Sequence, residues 1–140
     1  MKEIIIINGP NLNLLGKREP LLYGSESFEG YFKKLQKEFS KAKLSYGQFN
    51  EEGKLVEAIQ KAGENSDGIV LNPGAYTHTS IAIADAVAAI DIPVIEMHIS
   101  KVELRESFRQ NSYVSKYAVG RISGFGLDGY RMAVDQLLRS

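Results

Sequence analysis

The chain has 140 residues, 44% hydrophobic and 24% charged, so it carries enough apolar material for one buried core and reads as a single globular domain, not a disordered segment. Lys and Arg number 17 and so do Asp and Glu; the formal net charge of zero argues against nucleic acid as a partner. With no Cys and two His, disulfides, zinc–thiolate centres, a thiolate nucleophile and a three-histidine metal site within one chain are excluded.

The first predicted element is a strand over residues 4–7, apolar throughout and β-branched, ended by Gly9-Pro10. The run is too short for a membrane span or a signal-peptide core, so a cytoplasmic protein without membrane contact is expected. A connection from Asn8 past Gly24 follows, far longer than the ~2–6 residues of an ordinary βα loop. It is either a lid over a ligand or a plain surface loop. Ser27 then caps a helix whose Phe28, Tyr31, Phe32, Leu35 and Phe39 recur at helical spacing. Residues 44–49 alternate as an edge strand does, and Leu55, Val56, Ile59 and Ala62 mark a helix ending before Gly63.

A second buried strand spans residues 68–71, ended by Asn72-Pro73-Gly74. An Ala-rich helix over 80–90 puts Ile81, Ala84, Val87 and Ala88 on one face. Residues 93–97 form a third apolar strand and 102–108 a short helical turn. A weaker strand covers 118–122, and Leu127, Tyr130, Val134, Leu137 and Leu138 make an amphipathic C-terminal helix. Strand and helix thus alternate five times, which implies a parallel sheet covered on both faces. Right-handed crossovers make it doubly wound, and for five strands the flavodoxin-like order 2-1-3-4-5 follows. Such α/β sheets bind ligands at the carboxyl ends of their strands, beside the switch between strands 1 and 3.

Both histidines fall just after predicted strands. His78 lies in a polar run after strand 3, where it either meets a ligand or lies on the surface while Thr79 or Ser80 caps the next helix. Glu96 and His98 share one face of strand 4. A carboxylate there can fix the imidazole's tautomer and hold it protonated as a general acid; a histidine merely satisfied in the core is the other reading. Arg105 and Arg109, four apart, can clamp a carboxylate from one helical face, although for Arg105 a solvated face is the better reading. Hydrogen-bond donors, a histidine and arginines without a nucleophile–base pair suit acid–base work on a carboxylated small molecule. A flavin-binding or non-catalytic flavodoxin-like module is the rival class.

The stretches NGPNLNLLGKREPLLYG, NPGAYTHTS, IPVIEMHIS, Arg105 to Tyr113, and GFGLDGY, in this order along nearly the whole chain, strongly resemble type II 3-dehydroquinate dehydratase. The resemblance implies a flavodoxin-like fold, dehydration of 3-dehydroquinate to 3-dehydroshikimate without metal or cofactor, and a homododecamer of four trimers. It also implies residue roles. Tyr23 takes the place of the base, with Arg18 as the cation that stabilises its phenolate and the transition state. His98 is the proton donor, oriented by Glu96, and Asn11 holds a water at the developing enolate. Asn72, His78, the backbone at Ile99 and Ser100, and Arg109 contact substrate hydroxyl and carboxylate groups. Asp85 reaches in from a neighbouring subunit. The chain departs from the family's usual pattern at Lys101, where Asn is expected, at Ala84, where a basic residue is common, and at Phe49.

Overall fold

The computed structural model describes residues 1–17 and 26–140. Its strands are β1 (Glu3–Asn8), β2 (Lys43–Gln48), β3 (Gly68–Asn72), β4 (Val94–His98) and β5 (Gly120–Ser123). Its α-helices are α1 (Phe28–Glu38), α2 (Glu52–Asn65), α3 (Ile81–Ala89) and α4 (Asp128–Arg139). All five strands are parallel in one sheet of order β2-β1-β3-β4-β5, the expected flavodoxin-like order.

Alternation along the central strands divides the core in two. Ile4 and Ile6 of β1, Val70 of β3, and Ile95 and Met97 of β4 pack with Phe28, Phe32 and Leu35 of α1 and with Tyr130, Val134 and Leu137 of α4. The other face sets Ile7, Ile69, Leu71 and Val94 against Leu55 and Ile59 of α2 and Ile83 and Val87 of α3. Every residue of β3 and β4 is buried, as strands covered on both faces must be. β2, at an edge, buries only Leu44.

Local chemistry starts the helices where expected. The Ser27 hydroxyl accepts from the Gly30 N–H at 3.1 Å, and Ser80 caps α3 by accepting from the Ile83 N–H at 3.0 Å.

Three readings need correction. α2 does not stop at Gly63 but runs to Asn65, because the missing side chain lets α3's end approach: a Cβ on Gly63 would lie 2.5 Å from Ile90 Cγ2. α3 turns Ile83, Ala84, Ala86 and Val87 inward and leaves Ile81 59% exposed. A helix apolar on nearly every side carries no polar face to set its rotation. Residues 102–108 make no single helix; Val102–Leu104 and Ser107–Arg109 are separate 3-10 turns, with Arg105 extended between them.

Candidate active site

The carboxyl ends of β1, β3 and β4 meet at a cleft. The first two end on asparagines in register, Asn8 opposite Asn72. The loops beyond approach closely because Gly9 has no side chain; a Cβ there would lie 2.4 Å from the Pro73 carbonyl oxygen. Between the two asparagines lies the fully buried Tyr130 of α4. Its hydroxyl donates to Asn8 Oδ1 at 2.8 Å and accepts from Asn72 Nδ2 at 2.9 Å. The Gly74 N–H donates to Asn72 Oδ1 at 3.2 Å, so the Asn72 amide is oriented at both ends before any ligand arrives.

Asn11 begins the 3-10 turn Leu12–Leu14 with φ +70°, the one non-glycine in the left-handed region among the described residues. Asparagine tolerates that region better than most residues do. The Asn11 N–H donates to Asn50 Oδ1 at 3.1 Å; Asn50 in turn accepts from Gln48 Nε2 at 3.0 Å. The exposed Asn11 lines the cleft with Asn72, His78, His98, Ile99, Ser100, Arg105 and Arg109.

At His78 the Nδ1 nitrogen bonds the Asn111 carbonyl at 2.7 Å, which assigns the ring proton to Nδ1 and leaves Nε2 an acceptor in the neutral ring. Burial depresses its pKa; the Asn111 carbonyl opposes this, while the charges of His98 and Arg109 add to it. A neutral His78 is therefore suited to accepting a hydrogen bond from a hydroxyl group.

Glu96 and His98 project from the same face of β4, as their spacing requires, and Glu96 Oε2 bonds His98 Nε2. Glu96 is 0% exposed and His98 5%. Burial alone would raise the Glu96 pKa. The hydrogen bonds from His98 and Ser115 and the charges of His98 and Arg121 outweigh it, and the net shift is downward. Ser115 Oγ donates to Oε1 at 2.5 Å, and the Ser112 hydroxyl lies 3.0 and 3.1 Å from the two oxygens. Arg121, opposite Glu96 on β5, places Nε 3.6 Å from Oε2. Nε2 of His98 is thus committed to a carboxylate, and Nδ1 is the nitrogen left for a ligand. To donate through Nδ1 the ring must hold both protons, and ionised Glu96 supplies the compensating charge.

Two arginines also line the cleft. Arg109 Nε lies 3.1 Å from Glu106 Oε1 and Arg105 Nε 3.7 Å from the same oxygen. One carboxylate braces both guanidinium groups beside the cleft, where they can meet an anionic ligand. The Arg105 side chain is 16% exposed and lines the cleft, so the solvated-face reading is overturned; the pair meets through Glu106, not along a helical face.

Asp85 is exposed on α3 and does not line this chain's cleft. Tyr23 and Arg18 lie outside the described residues. Sequence reasoning missed Asn8, Ser112, Ser115, Arg121 and the buried Tyr130 hydroxyl. Asn8 and Arg121 sit on strands beside site residues, which was a usable signal; the serines sit in irregular chain, where no periodicity points to them. Among the described residues no three His, Cys, Asp or Glu stand together as metal ligands would.

A model of the family described as dehydroquinase class II matches residues 2–138. The chain is 49% identical over 137 residues to a 3-dehydroquinate dehydratase of Actinobacillus pleuropneumoniae serotype 5b, covering 96% of this chain and 89% of that protein. It is 51% identical over 138 residues to a catabolic 3-dehydroquinase of Aspergillus clavatus, covering 97% and 92%. The crystal structure of a type II dehydroquinase from Butyrivibrio crossotus superimposes with a TM-score of 0.92 at 46% identity, covering 98% of this chain and 97% of that one.

Proposed function

The chain belongs to the class II dehydroquinase family, and we infer from that premise and from the cleft's chemistry that it is a hydro-lyase converting 3-dehydroquinate to 3-dehydroshikimate and water. The step belongs to the shikimate route to chorismate and the aromatic amino acids, and the same dehydration serves quinate breakdown. The observation that carries the reading is the buried Glu96–His98 pair, whose imidazole lines a cleft that Arg105 and Arg109 also line. An acid and two guanidinium groups in one cleft match a hydroxylated, carboxylated ring. A flavin-binding module is not favoured, since the matching family model and the relatives named above are dehydroquinases.

The elimination needs a base, an enolate stabiliser and an acid. Tyr23, as phenolate, removes the proton on the carbon next to the ketone, and the electron pair passes to the carbonyl oxygen. Phenols ordinarily titrate near pH ~10, so Arg18 acts as the cation that makes the phenolate accessible and stabilises the transition state. A water held by Asn11 bonds the enolate oxygen. The enolate then collapses to the ketone, the new carbon–carbon double bond forms, and the carbon–oxygen bond breaks. His98 hands its Nδ1 proton to the departing hydroxyl, which leaves as water. Asn72, neutral His78, the backbone at Ile99 and Ser100, and Arg109 hold the ring's hydroxyl and carboxylate groups.

Family membership also supports the finer expectations: one catalytic domain over residues 1–140, a cytoplasmic homododecamer of four trimers, and an Asp85 that serves a neighbouring subunit's cleft. An ultraviolet assay for the conjugated enone, run on protein sized by light scattering, tests the reading. Steady production of enone by an oligomer is expected. Binding of dehydroquinate without enone would leave a non-enzymatic sensor, and a fully active monomer would remove the role of Asp85.

A further inference from the structure

We propose that Ser112 and Ser115 are positioning residues that keep Glu96 ionised and aimed at His98, so that one short segment between β4 and β5 sets the working pH range of the acid. The proposal rests on the reading of His98 as proton donor.

The segment is pinned at every step. The Asn111 carbonyl bonds His78 Nδ1 at 2.7 Å, and the Tyr113 N–H donates to the Thr77 carbonyl at 3.1 Å. Val114 is fully buried in the core beside α2 and α3. Between these anchors the two serines turn their hydroxyls onto one carboxylate. The Ser115 N–H also donates to Ser112 Oγ at 3.2 Å, which fixes the lone pairs of that hydroxyl and directs its proton toward Glu96. Oε1 of Glu96 is served by both serines, while Oε2 meets His98, Ser112 and, at longer range, Arg121.

A fully buried carboxylate with fewer donors would take up a proton and give up its hold on the imidazole. Among the described residues, the charged and titratable groups around it are few. His98 faces it from its own strand and Arg121 from β5, with Glu103 sharing the Arg121 guanidinium at 3.8 Å. His78 acts from beyond β3. From β3 itself its register partner is the apolar Leu71. None of these replaces a hydroxyl on Oε1. Neither serine is among the residues lining the cleft, and the hydroxyls of both bond Glu96, so their influence passes through that carboxylate.

The test is the pH profile of kcat for Ser115→Ala and Ser115→Thr in the intact enzyme, with the Glu96 carboxyl followed by 13C NMR. Losing a hydrogen bond to a charged group should move the acid limb of kcat, and the carboxyl titration with it, to higher pH by about one unit. KM should stay unchanged, Ser115→Thr should keep the wild-type profile, and Ser115→Ala should add nothing in a Glu96→Gln background. An unmoved carboxyl titration in folded Ser115→Ala overturns the proposal, as does a kcat loss that persists beside Glu96→Gln. The NMR titration needs no turnover; a shifted carboxyl with an unshifted kcat profile would contradict the role of His98 instead.

Discussion

Glu96 is a fully buried carboxylate whose charge state its neighbours constrain. Its carboxyl titrates below the ordinary value of 4.5 because His98, Ser115 and Arg121 together overcome the cost of burial. A carboxyl depressed in the folded state adds stability above its unfolded pKa and loses it as pH falls through the folded value. Wild type therefore loses this contribution progressively below pH 4.5. Glu96→Gln cannot titrate, and breaking a buried ion pair typically costs about 3–5 kcal/mol. Urea denaturation should show the variant less stable at pH 7, with the gap to wild type closing in acid. His78, its pKa lowered chiefly by burial, also works against the folded state in acid, and more so in Glu96→Gln, where the carboxylate that partly offsets this shift is gone. A gap that stays constant from pH 7 to pH 3 would mean that Glu96 is not held ionised by its partners.

Among the elements, α2 meets the end of α3 closely where Gly63 faces the cap residue Ile90. Gly63→Ala should gain up to about 1 kcal/mol of helix propensity. It also forces a methyl to within 2.5 Å of Ile90 Cγ2 and 3.0 Å of Ile90 Cβ, atoms next to the backbone that cannot swing away. Overpacking of this kind costs about 1–3 kcal/mol, so the denaturation midpoint should fall; a rise would mean the helices separate freely. The same residue shows how far the sequence could be read. The stripe of Leu55, Ile59 and Ala62 located α2, but a glycine used for close packing looks, in sequence, like a helix end. The apolar runs of β1, β3 and β4 located the sheet and, through period-two alternation, paired Glu96 with His98. Arg105 was misread because an extended residue between two 3-10 turns presents a different direction from one on a helix. Ser112 and Ser115 follow no period; the packing of Val114 and the backbone bonds at Asn111 and Tyr113 bring them to Glu96.

At the scale of the whole molecule, the strand order brings residues far apart in the chain to one edge of the sheet. Asn8 and Tyr130 are 122 positions apart and share a hydrogen bond beneath the cleft. Each crossover returns the chain to the same end, so His98 of β4, Asn72 of β3 and Asn11 of the loop after β1 line one cleft. The base is assigned to that loop and the acid to β4, so proton removal and loss of hydroxide should be separable by substitution. Exchange of the substrate's α-proton in deuterated water, followed by NMR in wild type, His98→Ala and Tyr23→Phe, is the most direct measurement. In His98→Ala, product formation should fall by about 10²–10⁴-fold while exchange continues, because the phenolate still forms the enolate. In Tyr23→Phe, exchange should be lost with turnover. Exchange at the wild-type rate in folded Tyr23→Phe, or its disappearance in His98→Ala, would contradict the division of labour between the two residues.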